Sequence, residues 1–268
     1  MTEIFDNIRK LYQFKNPCFE LIDYVEFFSE SCPKANEQFI DSEEFTVKLF
    51  PSFTPTIWLN LGSTYQLKNG ITCKNIYPKN DILVLRNTVL ERKNHRTDHI
   101  FTIKFYPMAF EVVFGISQSK IGNDFIDVNE IISPTIIKKL KDLGSFEDRI
   151  ALLENYFIEK LNRNRASKFQ FECIKASVEA FTNAGLSLKN RELANDVCLT
   201  EKTFYRYFKN TIGTNPKHYL ATVRARKALT AYANGNSGFS PIDFGYFDFG
   251  HFSKDVARFT GNKLSSFQ

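Results

Sequence analysis

Asn190-Arg191-Glu192-Leu193-Ala194-Asn195-Asp196-Val197-Cys198-Leu199-Thr200-Glu201-Lys202-Thr203-Phe204-Tyr205-Arg206-Tyr207-Phe208-Lys209 reads as two short helices joined by a tight turn. Asn190 can cap the first helix, Ala194 is small where a second helix must approach closely, and Thr200 can cap the second after a turn of three to four residues. Phe204 and Phe208 lie one helical turn apart and would bury with Leu193, Val197 and Leu199. The opposite face presents Lys202, Tyr205, Arg206 and Lys209 at the i, i+3, i+4, i+7 spacing of a single helix face. A guanidinium there can take a guanine edge bidentately, whereas Lys209 near the helix end suits a phosphate. In isolation such a helix reads as a solvated basic face; its surroundings decide otherwise.

Downstream, Gly213-Thr214-Asn215-Pro216 places a natural N-cap before a proline at the first helical position, and a helix is expected from there to about Ala233. At 1.5 Å per residue it would span roughly 27 Å, close to the roughly 34 Å of one DNA turn once its flanking turns are added. A second motif at its far end would meet the next major groove. Arg224, Arg226 and Lys227 add charge that matters near phosphates. Gly245-Tyr246-Phe247-Asp248-Phe249-Gly250-His251-Phe252-Ser253-Lys254-Asp255-Val256-Ala257-Arg258-Phe259-Thr260-Gly261 then follows.

This last stretch resembles the C-terminal signature of AraC/XylS transcription regulators: a Gly-aromatic pair, an Asp, a His-Phe-Ser-basic run, then an apolar residue, Arg and Gly. Ala194, Leu199-Thr200, Phe204, Arg206, Phe208, Gly213, Pro216 and Tyr219 are similar to the first motif of the same family, in register. The resemblance covers the C-terminal third. It implies two helix-turn-helix units joined by a rigid helix, binding neighbouring major grooves of double-stranded DNA and contacting RNA polymerase when activating, in a bacterial cytoplasm. It further implies reading helices at Glu201–Lys209 and Phe249–Arg258, with Lys202, Tyr205 and Arg206 on bases and Ser253 and Lys254 as the contacts of the second unit. The second unit departs from the family at Phe249-Gly250, where Gln-Ser is usual, at Ser240-Pro241, and at Gly261-Asn262-Lys263-Leu264, which lacks Thr-Pro. Specificity is therefore expected from the first unit, with the second touching mainly backbone and its leading helix reduced to one turn. The same defects support an alternative, a degenerate regulator without DNA affinity that binds a ligand or protein.

Upstream the pattern changes. From about Phe19 to Pro107, β-branched and aromatic residues alternate, as in Thr56–Leu61, Asp81–Leu85 and His99–Phe105, with turn signals at Leu61-Gly62-Ser63, Lys68-Asn69-Gly70 and Pro78–Asp81. An antiparallel sandwich or small barrel is expected. Around Trp58–Gly62 and Phe105–Pro107 the chain loosely resembles the N-terminal β domain of one subgroup of the same regulators, and the aromatic content suggests a small apolar or aromatic effector inside it. Ser145 opens a helix with Phe146, Ile150, Leu153, Phe157 and Leu161 on one face, fitted to pack on the sheet or to form a homodimer. The reading is α+β: a β-rich sensor or assembly domain over 1–143, a linker helix over 144–165 and an all-α DNA-binding domain over 166–268, with the boundary at Arg163–Ser167.

Of the 268 residues, 166–268 hold 14 Lys and Arg against 8 Asp and Glu, and the rest 21 against 22. The excess of positive charge in the last third fits a polyanionic partner. Hydrophobic content of 43% and a mean hydropathy of −0.28 are those of a soluble globular chain, with no membrane span, and the acids in Met1–Asp6 are unlike a secretory start. Five cysteines, an odd set without a C-x-x-C pair, argue against a disulfide framework and read as mostly buried thiols. His95 and His99 flank Arg96 on a strand or loop, a poor metal site, and no catalytic constellation or cofactor motif stands out. His218 reads as a helix-surface residue and His251 as partly buried.

Overall fold

The computed structural model describes residues 10–70, 72–122, 124–164, 168–235 and 238–267; the start of the chain and Arg165–Ser167 of the expected boundary lie outside them. Among the described residues the first half holds ten strands, β1 (Tyr12–Lys15), β2 (Val25–Ser31), β3 (Glu44–Leu49), β4 (Pro55–Asn60), β5 (Tyr65–Asn69), β6 (Thr72–Ile76), β7 (Ile82–Leu85), β8 (Leu90–His95), β9 (Ile100–Phe105) and β10 (Ile126–Asp127). They form two sheets, ordered β1-β2-β9-β4-β7-β10 and β3-β8-β5-β6, and every pairing is antiparallel. The turn at Lys68-Asn69-Gly70 closes the β5–β6 hairpin, with Gly70 at φ +59°.

The three strands legible in the sequence, β4, β7 and β9, are neighbours in the larger sheet, and they are buried along their whole length. Both faces of these strands are covered. Ile57, Leu59, Leu83, Leu85, Phe101, Ile103 and Phe105 enter a core shared with helices. The intervening Trp58, Ile82, Val84 and Ile100 enter a second core against the smaller sheet. Period-two alternation therefore sorts these strands between two apolar layers.

Helices α1 (Pro33–Phe39), α2 (Ala109–Phe114), α3 (Pro134–Asp142) and α4 (Phe146–Arg163) accompany the sheets. Ser145 caps α4 by accepting from the Asp148 amide at 3.0 Å. The face carrying Phe146, Ile150, Leu153 and Phe157 is buried in the core of the larger sheet, so it is not available to a second copy of the chain. Arg149, also buried on α4, donates to both carboxylate oxygens of Glu30 on β2 at 3.2 and 3.0 Å and to the Leu140 carbonyl. Removing one partner of such a buried pair leaves the other charge poorly compensated, which is strongly destabilising.

The second half is all helix: α5 (Lys168–Asn183), α6 (Asn190–Asp196), α7 (Glu201–Tyr207), α8 (Pro216–Ala233) and α9 (Phe249–Thr260), with one turn of 3-10 helix at Pro241–Phe244 ahead of α9. That single turn agrees with the reading of Ser240-Pro241. In α5 the buried face is Phe171, Cys173, Ile174, Ser177 and Phe181, whereas Phe169 is 58% exposed and contributes to the surface. Among the described residues no helix is long and apolar enough to cross a membrane. All five cysteines are free, but only Cys173 is buried and Cys73 and Cys198 are exposed, so composition overstated their burial.

The two halves share cores. Phe53, Met108, Ala109 and Val112 pack with Phe171, Leu193, Phe204 and Phe208, while Phe50 packs with Leu229, Phe252 and Phe259. One loop, Leu49 to Pro55, thus places two rings three residues apart into the cores of two different helical units. Phe53 holds φ at +54° and Met108 at +74°, left-handed values that cost bulky residues energy and persist only where packing overrides them. Gln118, fully buried, joins the same junction: its Oε1 accepts from the Met108 amide at 2.6 Å, and its Nε2 donates to the carbonyls of Phe53 at 3.1 Å and Ile212 at 3.0 Å. Truncation to alanine would leave these groups without partners, so Gln118→Ala is expected to lower unfolding free energy by about 3 kcal/mol. A loss under about 1 kcal/mol in urea denaturation would show that the bridge is incidental.

Candidate nucleic-acid interface

The first unit is α6, a turn and α7. The chain enters α6 through the Lys189 amide, which donates to Glu192 Oε2 at 2.6 Å. The capping position is Lys189, one residue before the Asn190 the sequence suggested. After α6 the Leu199 amide returns to the Ala194 carbonyl at 2.8 Å and Cys198 takes φ +55°. Thr200 then caps α7, its hydroxyl accepting from the Thr203 amide at 3.2 Å. Phe204 and Phe208 are buried with ring centroids 4.8 Å apart, alongside buried Leu193 and half-buried Val197 and Leu199.

With that face consumed, the other is left to solvent: Lys202, Tyr205, Arg206 and Lys209 are all exposed. Lys202, Tyr205 and Arg206 stand on α7 itself. The helix ends at Tyr207, however, and the backbone widens into a π turn over Phe208–Ile212 before Gly213 at φ +91°. Lys209 therefore leaves the ideal i+7 position and rides on the widened turn. At Gly213 an added Cβ would lie 3.3 Å from the Ser119 backbone of the β unit, so glycine there serves both the turn and the contact.

Helix α8 begins as expected, with the Asn215 side chain accepting from the His218 amide at 2.8 Å and Pro216 in the first turn. Its cations do not form one phosphate-facing row. Arg224 lies over the Tyr246 ring at 4.4 Å and pairs with Asp255 of α9 at 3.3 Å. Arg226 faces a cavity toward the β unit, and Lys227 is exposed. His218 is not a free surface residue. Its ring packs edge-on against Phe53 and also meets Phe259, and its Nδ1 is 2.9 Å from the Arg258 guanidinium. Burial, followed by the Arg258 charge, holds its pKa below the ordinary histidine value.

The second unit repeats the first position by position. Asp248 caps α9, accepting from the His251 amide at 2.7 Å as Thr200 accepts from Thr203. Phe252 is buried where Phe204 is. Ser253 and Lys254 thus stand at the places of Tyr205 and Arg206; Lys254 is exposed and Ser253 half-buried. His251 is exposed, with only its ring edge against Tyr246, rather than partly buried. Gly245, at φ +71°, brings the units together: a Cβ there would sit 2.7 Å from the Leu186 carbonyl oxygen. Between the units runs a cleft of about 630 Å³ whose lining includes Lys189, Lys217 and Arg258.

A separate cavity of about 320 Å³ opens where both sheets meet α8. Its lining combines aromatic rings, Phe27 and Trp58 among them, with Arg86, Arg92, Lys104 and Arg226 and a single acid, Glu26. Lys104 is 1% exposed and pairs with Glu26 at 3.1 Å, and Arg92 sits over the Trp58 ring at 5.2 Å. Neither histidine of the His95–His99 pair belongs to a metal cluster. His99 Nε2 lies 2.7 Å from Glu30, His95 Nδ1 lies 2.8 Å from Thr97, and the described residues contain no group of three or more metal-ligating side chains.

Residues 193–268 match the family model of the helix-turn-helix domain. With the two-unit geometry, that match identifies the C-terminal part of the chain as a DNA-binding domain of the kind found in transcription regulators. That domain is of the AraC type. No curated protein sequence matches the chain significantly. Among solved structures the chain is similar to ToxT from Vibrio cholerae, at 10% identity over 84% of this chain and 96% of that one, TM-score 0.47. It is similar to ToxT of V. cholerae strain SCE256 with bound unsaturated fatty acid, at 11% identity over 84% and 93%, TM-score 0.45. The AraC-like transcriptional activator CuxR is similar at 12% identity over 85% and 89%, TM-score 0.31.

Proposed function

We propose that this chain regulates transcription by sequence-specific binding to double-stranded DNA, with α7 in one major groove and α9 in the next. The observation that carries this reading is the exposed face of Lys202, Tyr205 and Arg206 on a helix held from behind by buried Phe204 and Phe208. Arg206 and Lys202 take base edges, Tyr205 contributes a base or sugar contact, and Lys209 on its widened turn meets phosphate. Ser253 and Lys254 occupy the equivalent positions of the second unit. The lysines and arginine of the inter-unit cleft support a path for the sugar-phosphate strand between the grooves. When the protein activates, RNA polymerase is its further partner. Salt-dependent binding to duplexes from its own upstream region tests the reading. Affinity should fall steeply with salt and discriminate between sequences; weak, sequence-blind binding would favour the degenerate, ligand- or protein-binding alternative.

The sheet-and-helix cavity is the place for an effector. Buried cations beside aromatic walls suit a small amphipathic acid, its carboxylate toward Arg92, Lys104 or Arg226, better than a purely apolar molecule. Arg86 connects the cavity to the reading units: it donates to the Phe50 carbonyl at 2.8 Å and accepts, through its own carbonyl, from the Ser52 and Phe53 amides at 2.7 and 2.9 Å. An acid drawing on Arg86 would thus act on the loop that seats Phe50 and Phe53. Monocarboxylates of increasing chain length should raise the melting temperature, by about 2.7 kcal/mol equivalent at a hundredfold excess over Kd. The matching alcohols should not. Equal shifts from acids and alcohols, or none from either, would reject an anion site.

A further inference from the structure

The second unit departs from the first where the first carries its readers. Since Asp248 and Thr200 cap equivalently, Phe249 and Gly250 stand at the places of Glu201 and Lys202. The sequence alone suggests a loss of function there, because polar base readers are missing. The structure shows an assembled surface instead. Phe249 is 51% exposed, Phe247 just before the cap 85% and Ile242 on the preceding turn 67%. Phe249 is braced from behind by Phe239, ring centroids 6.0 Å apart, and Phe239 itself packs on Tyr232, Phe244 and Phe252. Beside it Gly250 projects no side chain, and an added Cβ would meet only the Asp248 carboxylate, at 3.2 Å. That carboxylate accepts from the His251 amide and is itself exposed. Lys254, at the Arg206 position, is exposed on the same helix.

An aromatic edge fixed in place, a bare stretch of backbone and a neighbouring cation fit one feature of the major groove that is apolar and base-specific, the C5-methyl of thymine. We propose that α9 reads thymine methyl groups through Phe249, with Phe247 beside it, so that the second half-site is selected for thymine by apolar contact rather than by hydrogen bonds. This rests on the reading of the domain as a DNA binder. Two exposed acids, Asp243 and Asp248, flank the patch, but residues 166–268, which hold it, carry 14 Lys and Arg against 8 Asp and Glu, and the inter-unit cleft beside α9 sets Lys189, Lys217 and Arg258 against Asp255 alone; this excess of positive charge favours DNA over a protein partner.

The test uses the full-length protein and duplexes it selects from a random-sequence library. Thymines in the selected site are replaced one at a time by deoxyuridine, which removes the methyl and keeps the pairing. At one or two positions of one half-site, the exchange should weaken binding about fourfold per methyl lost, as burial of one carbon predicts. Phe249→Ala should bind the thymine and deoxyuridine duplexes equally, Phe249→Leu should retain part of the difference, and Arg206→Ala should lower overall affinity while leaving the ratio intact. Equal binding of both duplexes by the unmodified protein overturns the proposal, as does a thymine preference that survives in Phe249→Ala. A Phe249→Ala protein with wholly unchanged DNA binding also overturns it and turns the patch into a protein-docking surface. Failure to bind any duplex removes the DNA-binding reading itself, which equal binding of the two duplexes does not.

Discussion

Replacing Arg206 by alanine should weaken binding to a preferred duplex by about 1 to 3 kcal/mol, roughly five- to a hundred-and-fifty-fold, and relax the preference at one base pair. The size follows from the environment of the side chain. Arg206 is exposed on α7 with its ring neighbour Tyr207 at 6.0 Å, and no acid within ion-pair distance among the described residues competes for its guanidinium. Its removal is therefore expected to disturb little of the fold, so that a loss of affinity reports the proposed DNA contact. Lys209→Gln makes the contrast: it should lower affinity for all sequences alike and reduce the slope of log K against log salt by about one. Fluorescence anisotropy over a salt series separates the two. Should Arg206→Ala keep both affinity and base preference, α7 does not read through that face.

Phe53→Ala is expected to cost about 3 to 5 kcal/mol of stability, the range for deleting a buried phenyl ring. Phe53 is 3% exposed, and its ring meets Tyr219 and His218, both at 5.7 Å. Alanine also keeps the unfavourable φ of +54° without the packing that sustains it. The loss falls on the junction between the sheets and the first helix-turn-helix unit. Unfolding followed by Trp58, which is buried between the sheets, should then no longer coincide with unfolding followed by helical circular dichroism. Coincident curves with a loss below about 1 kcal/mol would mean that the two halves are held together elsewhere.

Much of the helical half was legible because its signals are local. Thr200, Asn215 and Pro216 announce helix starts by chemistry that acts within three residues, and Phe204 and Phe208 separate the buried from the exposed face by period alone. Lys202, Tyr205 and Arg206 followed from that separation. Lys209 was misplaced by the π turn, which no local propensity announces. In the β half, β4, β7 and β9 were legible as strands, but not their coverage on both faces, because alternation between two apolar layers looks the same as alternation between core and water when polar residues such as Thr56, Thr102 and Lys104 also become buried.

The type of the C-terminal domain, the sheet-forming and helix-forming parts and the exposed face of α7 were all legible in the residue order, since each depends on neighbours within a helical turn or a strand pair. What joins the halves emerges from long-range packing. Gln118 reaches Ile212 across 94 positions and Phe53 across 65, His218 became an interface residue between Phe53 and Phe259, and Phe249 was shown to be an exposed, braced ring. Their roles are set by chains of contact between segments far apart in sequence, where burial and charge depend on which surfaces meet and not on the order of the residues that carry them.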